Sequence, residues 1–181
     1  PQVNLSLLNG NSREIEAALQ EHRIDLGLVE GICRLPNLRY TTFLQDELVA
    51  VGHTGSKLSL PDEITPEDLS RIPLVLRERG SGTLDVFERA LSEHNMKLSS
   101  LNVLLYLGST ESIKLFLEHT DCIGIVSIRS ISRELLSGTF RVIEIKGMPM
   151  LREFCFAQPQ GQESGLSQVL MQFAMHHNKK L

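Results

Sequence analysis

Three short stretches bring glycine together with hydroxyl and amide side chains directly ahead of a helical pattern: Asn9-Gly10-Asn11-Ser12, Gly80-Ser81-Gly82-Thr83 and Gly108-Ser109-Thr110-Glu111. The start of a helix presents unpaired N–H groups and a partial positive charge, which suits an anion. Glycine lets the backbone approach a ligand, and Ser or Thr hydroxyls add donors. Asn11, Ser12, Ser81, Gly82, Thr83, Ser109 and Thr110 are therefore the first candidates for ligand contact. Arg77 and Glu78 precede the second turn. The fork of donors on Arg77 can hold a carboxylate or another oxyanion, or pair with Glu78 or Glu30. Glu30 ends a short apolar strand, where its carboxylate can accept bonds from a ligand or orient Arg77. Ser127, after the strand at 122–126, is a further candidate. Standard phosphate and nucleophile motifs do not fit. Gly80-Ser81-Gly82-Thr83 lacks the Gly-Lys-Ser/Thr end of a P-loop and the third glycine of a dinucleotide fingerprint. Ser81 is not in a Gly-x-Ser-x-Gly elbow.

The elements that must position these turns alternate between strands and helices. Strands are expected at 3–8, 24–29, 39–43, 47–52, 72–76, 101–107, 122–126, 140–145 and 152–157. Helices are expected after each of the three turns, with Ile15, Ala18 and Leu19 marking one buried face and Leu84, Phe87 and Leu91 another. Thr65-Pro66-Glu67-Asp68 is a helix start, with a capping hydroxyl, proline at the first helical position and acids in the first turn. A last helix over 163–177 is expected to face Leu166, Val169, Leu170 and Phe173 inward. This alternation predicts an α/β fold with parallel sheets. Two lobes fit it better than one, with an outer lobe of residues 1–73 plus 149–181 and an inner lobe of 74–148. In such sheets ligands bind at the carboxyl ends of strands, so the three turns should face one cleft between the lobes.

Composition bounds the function. The chain has 181 residues and a net charge of −4, and without a basic stretch it is not expected to grip a nucleic-acid backbone by itself. It has no apolar run of the ~20 residues needed to span a bilayer, so no membrane partner is expected. Its three cysteines, Cys33, Cys122 and Cys155, are an odd set with neither disulfide nor zinc spacing. They read as buried structural thiols in a reduced, cytoplasmic protein. His176-His177 has no acidic or cysteine partner nearby, and no metal or cofactor is expected.

Several segments, in order, resemble the effector-binding domain of LysR-type transcriptional regulators. They are Ile24-Asp25-Leu26-Gly27-Leu28-Val29-Glu30-Gly31, Asp46-Glu47-Leu48-Val49-Ala50-Val51, Leu69-Ser70-Arg71-Ile72-Pro73-Leu74-Val75, Arg77 to Thr83, Leu107 to Lys114 and Ile123-Gly124-Ile125-Val126-Ser127. The Arg77–Thr83 stretch is most similar to the branch with regulators of sulfur assimilation and carbon fixation. That branch usually has Arg where this chain has Leu84, so one basic contact is expected to be missing. The resemblance implies two Rossmann-like lobes, as in type 2 periplasmic binding proteins, with mixed sheets. It also implies a small, anionic effector between the lobes and no enzymatic activity. Homodimers through the effector domains, tetramers of the full protein, and operator DNA contacted only by a winged helix-turn-helix are implied too. The start at Pro1 matches a point after the family domain's first strand and helix. That unit and the helix-turn-helix are therefore expected to be absent from this chain. The alternatives are an extracytoplasmic solute-binding protein of a transporter and a small-molecule enzyme on the same fold.

Overall fold

The structure is a computed structural model that describes residues 4–31, 35–161 and 165–178. Helix α1 (Ser12–Gln20) is followed by strand β1 (Gly27–Glu30) and the long strand β2 (Leu38–His53). Two strands are expected at 39–43 and 47–52. They are one because β8 (Met150–Pro159) pairs antiparallel along β2 from Leu38↔Pro159 to Leu48↔Met150. A bulge between Thr42 and Leu44 absorbs the local break in pattern. These two strands carry the sheet from one lobe into the other. A two-residue strand β3 (Glu63–Ile64) and a 3-10 turn (Pro66–Ser70) lead into β4 (Leu74–Arg77) and α2 (Gly82–Glu93). Next come β5 (Val103–Leu107), α3 (Thr110–Glu118), β6 (Ile123–Ser127), a second 3-10 turn (Ile128–Ile131), α4 (Ser132–Leu136) and β7 (Phe140–Ile145). After β8 the described chain ends in α5 (Gly165–Asn178).

The strand order is β1-β8-β2-β6-β4-β5, with β7 against β2 and β3. The sheet is mixed. β4 runs parallel to β5 and β6, and β3 to β7, while β1–β8 and the β2 pairings are antiparallel. The alternation of strands and helices therefore predicts parallel pairing correctly around β4 and between β3 and β7, while every pairing made by the crossover strands β2 and β8 is antiparallel. Buried side chains form three clusters. Ile15, Leu19, Val29, Leu38 and Ala157 seal α1 on the outer end of the sheet. Leu74, Phe87, Leu91 and Ile125 pack under α2, and Val75, Ile113, Leu117 and Phe140 pack under α3. Leu48, Ile64, Leu69 and Ile72 join Leu74 and Phe87 in the second cluster. The lobe boundary expected at 73/74 thus runs through packed side chains. Leu84 is also buried there, on the core side of α2 and away from solvent.

Two expectations are corrected. Residues 4–10 have no regular structure, with Leu5 and Leu7 85% and 91% exposed. Val3, the first residue of that expected strand, lies outside the described residues. Alternating apolar residues make a strand only beside a partner, and β1 pairs with β8 alone. On α5, Leu166, Val169, Leu170 and Phe173 are exposed rather than inward. The apolar spacing marks one face of the helix but not what covers it.

One buried acid has a pH signature. Glu16 on α1 is buried, and Tyr40 Oη donates to its Oε1 at 2.6 Å. Burial raises its pKa above the ordinary value, and the Tyr40 bond opposes this only partly. A raised carboxyl pKa favours the folded state below the unfolded pKa, and that contribution is lost as pH rises through the folded value. Glu16→Gln should therefore remove that contribution, so that the variant gains stability over the native chain at pH 7 relative to pH 4. Thermal melting across that range checks it, and parallel curves would contradict it. Cys122 is a buried free thiol, and Cys155 is buried as well. Burial pushes the Cys122 thiol up to about 11, which keeps it protonated and inert. Cys33 lies outside the described residues.

Candidate functional site

A cleft of about 530 Å³ opens between the lobes, walled by Asn9–Ser12, Glu14, Leu28, Glu30, Arg77–Glu78, Gly108–Thr110 and Phe154. Its first wall is the start of α1. Asn11 Oδ1 accepts from the Glu14 N–H at 3.1 Å, and Glu14 Oε2 accepts from the Asn11 N–H at 2.9 Å. This reciprocal cap fixes the turn. Ser12 Oγ donates to the Glu30 carbonyl at 2.6 Å and accepts from the Glu30 N–H at 3.2 Å. The end of β1 is thereby stitched to the start of α1. The opposite wall is the start of α3, where Ser109 Oγ accepts from the Ser112 N–H at 3.1 Å. A Cβ at Gly108 would meet nothing within 4 Å. The cleft thus has a helix start on each side, both with hydroxyl-bearing first turns.

Arg77 spends its fork on its neighbour. Nε and Nη2 bond the two Glu78 oxygens at 2.9 and 3.2 Å. Burial would raise the Glu78 pKa, but the Arg77 hydrogen bonds and charge, together with a backbone N–H bond and a smaller contribution from Asn11, hold the carboxyl below its ordinary value. Glu78 is therefore ionised at neutral pH.

The second glycine turn does different work. Ser81 is buried, accepts from the Leu84 N–H at 3.2 Å and donates to the Glu78 carbonyl at 2.8 Å, capping α2. A Cβ at Gly82 would overlap the Glu30 carbonyl oxygen, so glycine is what lets β1 lie against α2. Thr83 is buried and donates to Glu30 Oε1 at 3.1 Å. Ser81, Gly82 and Thr83 do not line the cleft; they join its two walls. Ser127 lies apart as well, donating to Asp46 Oδ1 at 2.8 Å. Seven of the eleven candidates, namely Asn11, Ser12, Glu30, Arg77, Glu78, Ser109 and Thr110, are on the cleft surface.

Behind Glu30 lies a charge network that sequence reasoning missed. Arg152 on β8 and Asp46 on β2 are both buried. Arg152 Nε and Nη2 each reach Asp46 Oδ2 at 2.8 Å. Its Nη1 reaches Glu30 Oε2 at 2.7 Å and Thr83 Oγ1 at 2.9 Å. The guanidinium also sits 4.9 Å from the Phe154 ring centre. Both crossover strands, β1, β6 and α2 meet at this point. The available signal was period two: Asp46 shares its face of β2 with Leu48 and Ala50, an inward position for a charge. Among the described residues, no group of three or more His, Cys, Asp or Glu is placed to hold a metal ion, and no helix is long and apolar enough to cross a membrane.

Two α/β lobes joined by paired crossover strands, with a polar cleft between them, define a ligand-binding domain of the type 2 periplasmic-binding kind. Residues 1–179 match the LysR substrate binding domain, and the chain belongs to that family. It is 33% identical over 145 residues, 80% of its length, to the uncharacterized HTH-type transcriptional regulator YeiE of Escherichia coli K12, covering 48% of that protein. It is 27% identical over 180 residues, 99% of its length, to the HTH-type transcriptional activator CmpR of Synechocystis, covering 58% of that protein. The chain thus spans about half the length of the curated relatives it matches. The regulatory domain of CcmR from Synechocystis PCC6803, solved in complex with 2-PG, has the same fold, with a TM-score of 0.80 and 24% identity. That match covers 94% of this chain and 81% of the other.

Proposed function

We propose that the chain is the effector-sensing domain of a bacterial LysR-type transcriptional regulator and binds a small anionic molecule in the cleft between its lobes. The observation that carries this is the pair of helix starts, at Asn11–Ser12 and Ser109–Thr110, facing one polar cleft beside Arg77. Asn11, Ser12, Glu30, Arg77, Glu78, Ser109 and Thr110 are the contacts. Ser81, Gly82, Thr83 and Ser127 hold the walls that carry them. The effector prefers one arrangement of lobes or subunits over another, and that preference biases how helix-turn-helix domains elsewhere in the protein meet operator DNA. The regulator is cytoplasmic, dimerises through these domains and assembles further as a tetramer. It acts as a sensor and not an enzyme, a reading supported by its membership of a family whose curated relatives are transcriptional regulators. Family membership favours this reading over a transporter's solute-binding protein.

Calorimetric titration with a panel of carboxylates, sulfur oxyanions and phosphorylated metabolites tests the site. Thr110→Ala should weaken the tightest binder about tenfold, or about 1.4 kcal/mol, with an unchanged melting temperature. Equal affinity in the variant would remove this turn from the site.

A further inference from the structure

The charges of the cleft do not suit a bare anion. Glu14, Glu30 and Glu78 line it, against Arg77 as the one basic lining residue among those described. Arg77 is engaged at two points by Glu78. Glu14 is engaged by the Asn11 N–H in the α1 cap. Glu30 differs from both. Its oxygens are held from behind, Oε2 by Arg152 at 2.7 Å and Oε1 by Thr83 at 3.1 Å, while its side chain stays 19% exposed on the cleft. A carboxylate oxygen accepts about two hydrogen bonds, so among the described residues each oxygen keeps capacity toward the cleft. The carboxylate is also not free to turn away. Arg152 is fixed by two bonds to the buried Asp46, and Asp46 is fixed again by Ser127.

We infer that Glu30 is the specificity-determining acceptor of the cleft, selecting organic acids that carry a hydroxyl or ammonium donor over inorganic oxyanions and plain carboxylates. This rests on the cleft being the effector site. The acid group of the effector lies toward Ser109–Thr110, across from Glu30, and its donor points at Glu30. A hydroxy acid and a plain carboxylate bring the same charge toward the fixed carboxylate, but only the first supplies a donor to it, so the acceptor left unpaired is what rejects the donor-free anion. Arg152 and Thr83 act as positioning residues, since they hold Glu30 from the side away from the cleft.

The test is calorimetry on this chain with glycerate, serine and gluconate as donor-bearing probes, and propionate, hexanoate and inorganic sulfate as donor-free ones. The native chain should bind at least one donor-bearing acid tenfold or more tightly than its donor-free counterpart. Glu30→Gln turns the acceptor into an amide whose oxygen can still face Arg152, and the preference should fall to within about twofold. If that variant fails to fold by circular dichroism, Glu30→Asp keeps the charge but retracts it by one methylene, and should cut the preference several-fold. Equal or tighter binding of the donor-free acids, or a preference that survives in the folded variant, overturns the inference. Donor-free binding that Thr110→Ala still weakens would leave the cleft reading standing. Absence of binding by every probe counts against both.

Discussion

Replacing Arg152 by alanine should cost about 3–5 kcal/mol of folding stability, the usual loss when one partner of a buried ion pair is removed. Asp46 is fully buried, and its remaining charged neighbour, Arg129, is 3.9 Å away and largely exposed. Without Arg152 its charge is left with a single hydroxyl donor, Ser127. Glu30 and Thr83 lose the same guanidinium. Urea denaturation measures the loss. A double substitution, Arg152→Met with Asp46→Leu, removes both buried charges and should recover part of it. A loss below 1 kcal/mol in Arg152→Ala would mean that the network does not hold the crossover together.

Gly82→Ala should be the most damaging change of a single methyl group. The added Cβ meets the backbone oxygen of Glu30, which cannot rotate away as a side chain could. Overpacking of this kind costs about 1–3 kcal/mol. The strain falls on the contact between β1 and the start of α2, so the walls of the cleft must part and effector affinity should drop together with stability. Urea denaturation and calorimetry on the same sample read both. Gly108→Ala is the control for stability alone, because a Cβ there meets no protein atom within 4 Å although the residue lines the cleft. An equal loss of stability in the two variants would contradict the role given to the second glycine turn.

Local chemistry in the sequence located the helix starts and left their purposes open. Asn11, Ser81 and Ser109 cap helices where their spacing says they should, because a cap depends on residues three apart. Whether a hydroxyl beside a cap reaches a ligand or another strand depends on tertiary neighbours. Thr83 and Thr110 occupy similar turns, yet one is buried against Glu30 and the other faces the cleft. The Arg152–Asp46 pair spans 106 residues, beyond any local rule. The same limit explains the apolar faces of α5 and of residues 4–8, whose patterns mark a surface without naming its cover. Likewise β2 is one strand where two are expected, because its partner lies a hundred residues away.

In the proposed function a small organic acid binds between Asn11–Ser12 and Ser109–Thr110. The most direct measurement is an amide nitrogen–proton correlation spectrum of the chain, titrated with the tightest-binding acid from the calorimetric panel. Saturable shifts are expected at Asn11, Ser12, Glu30, Ser109 and Thr110. Shifts confined to the shallow groove at Val86, Arg89 and Pro149–Leu151, with those five amides unmoved, would contradict it.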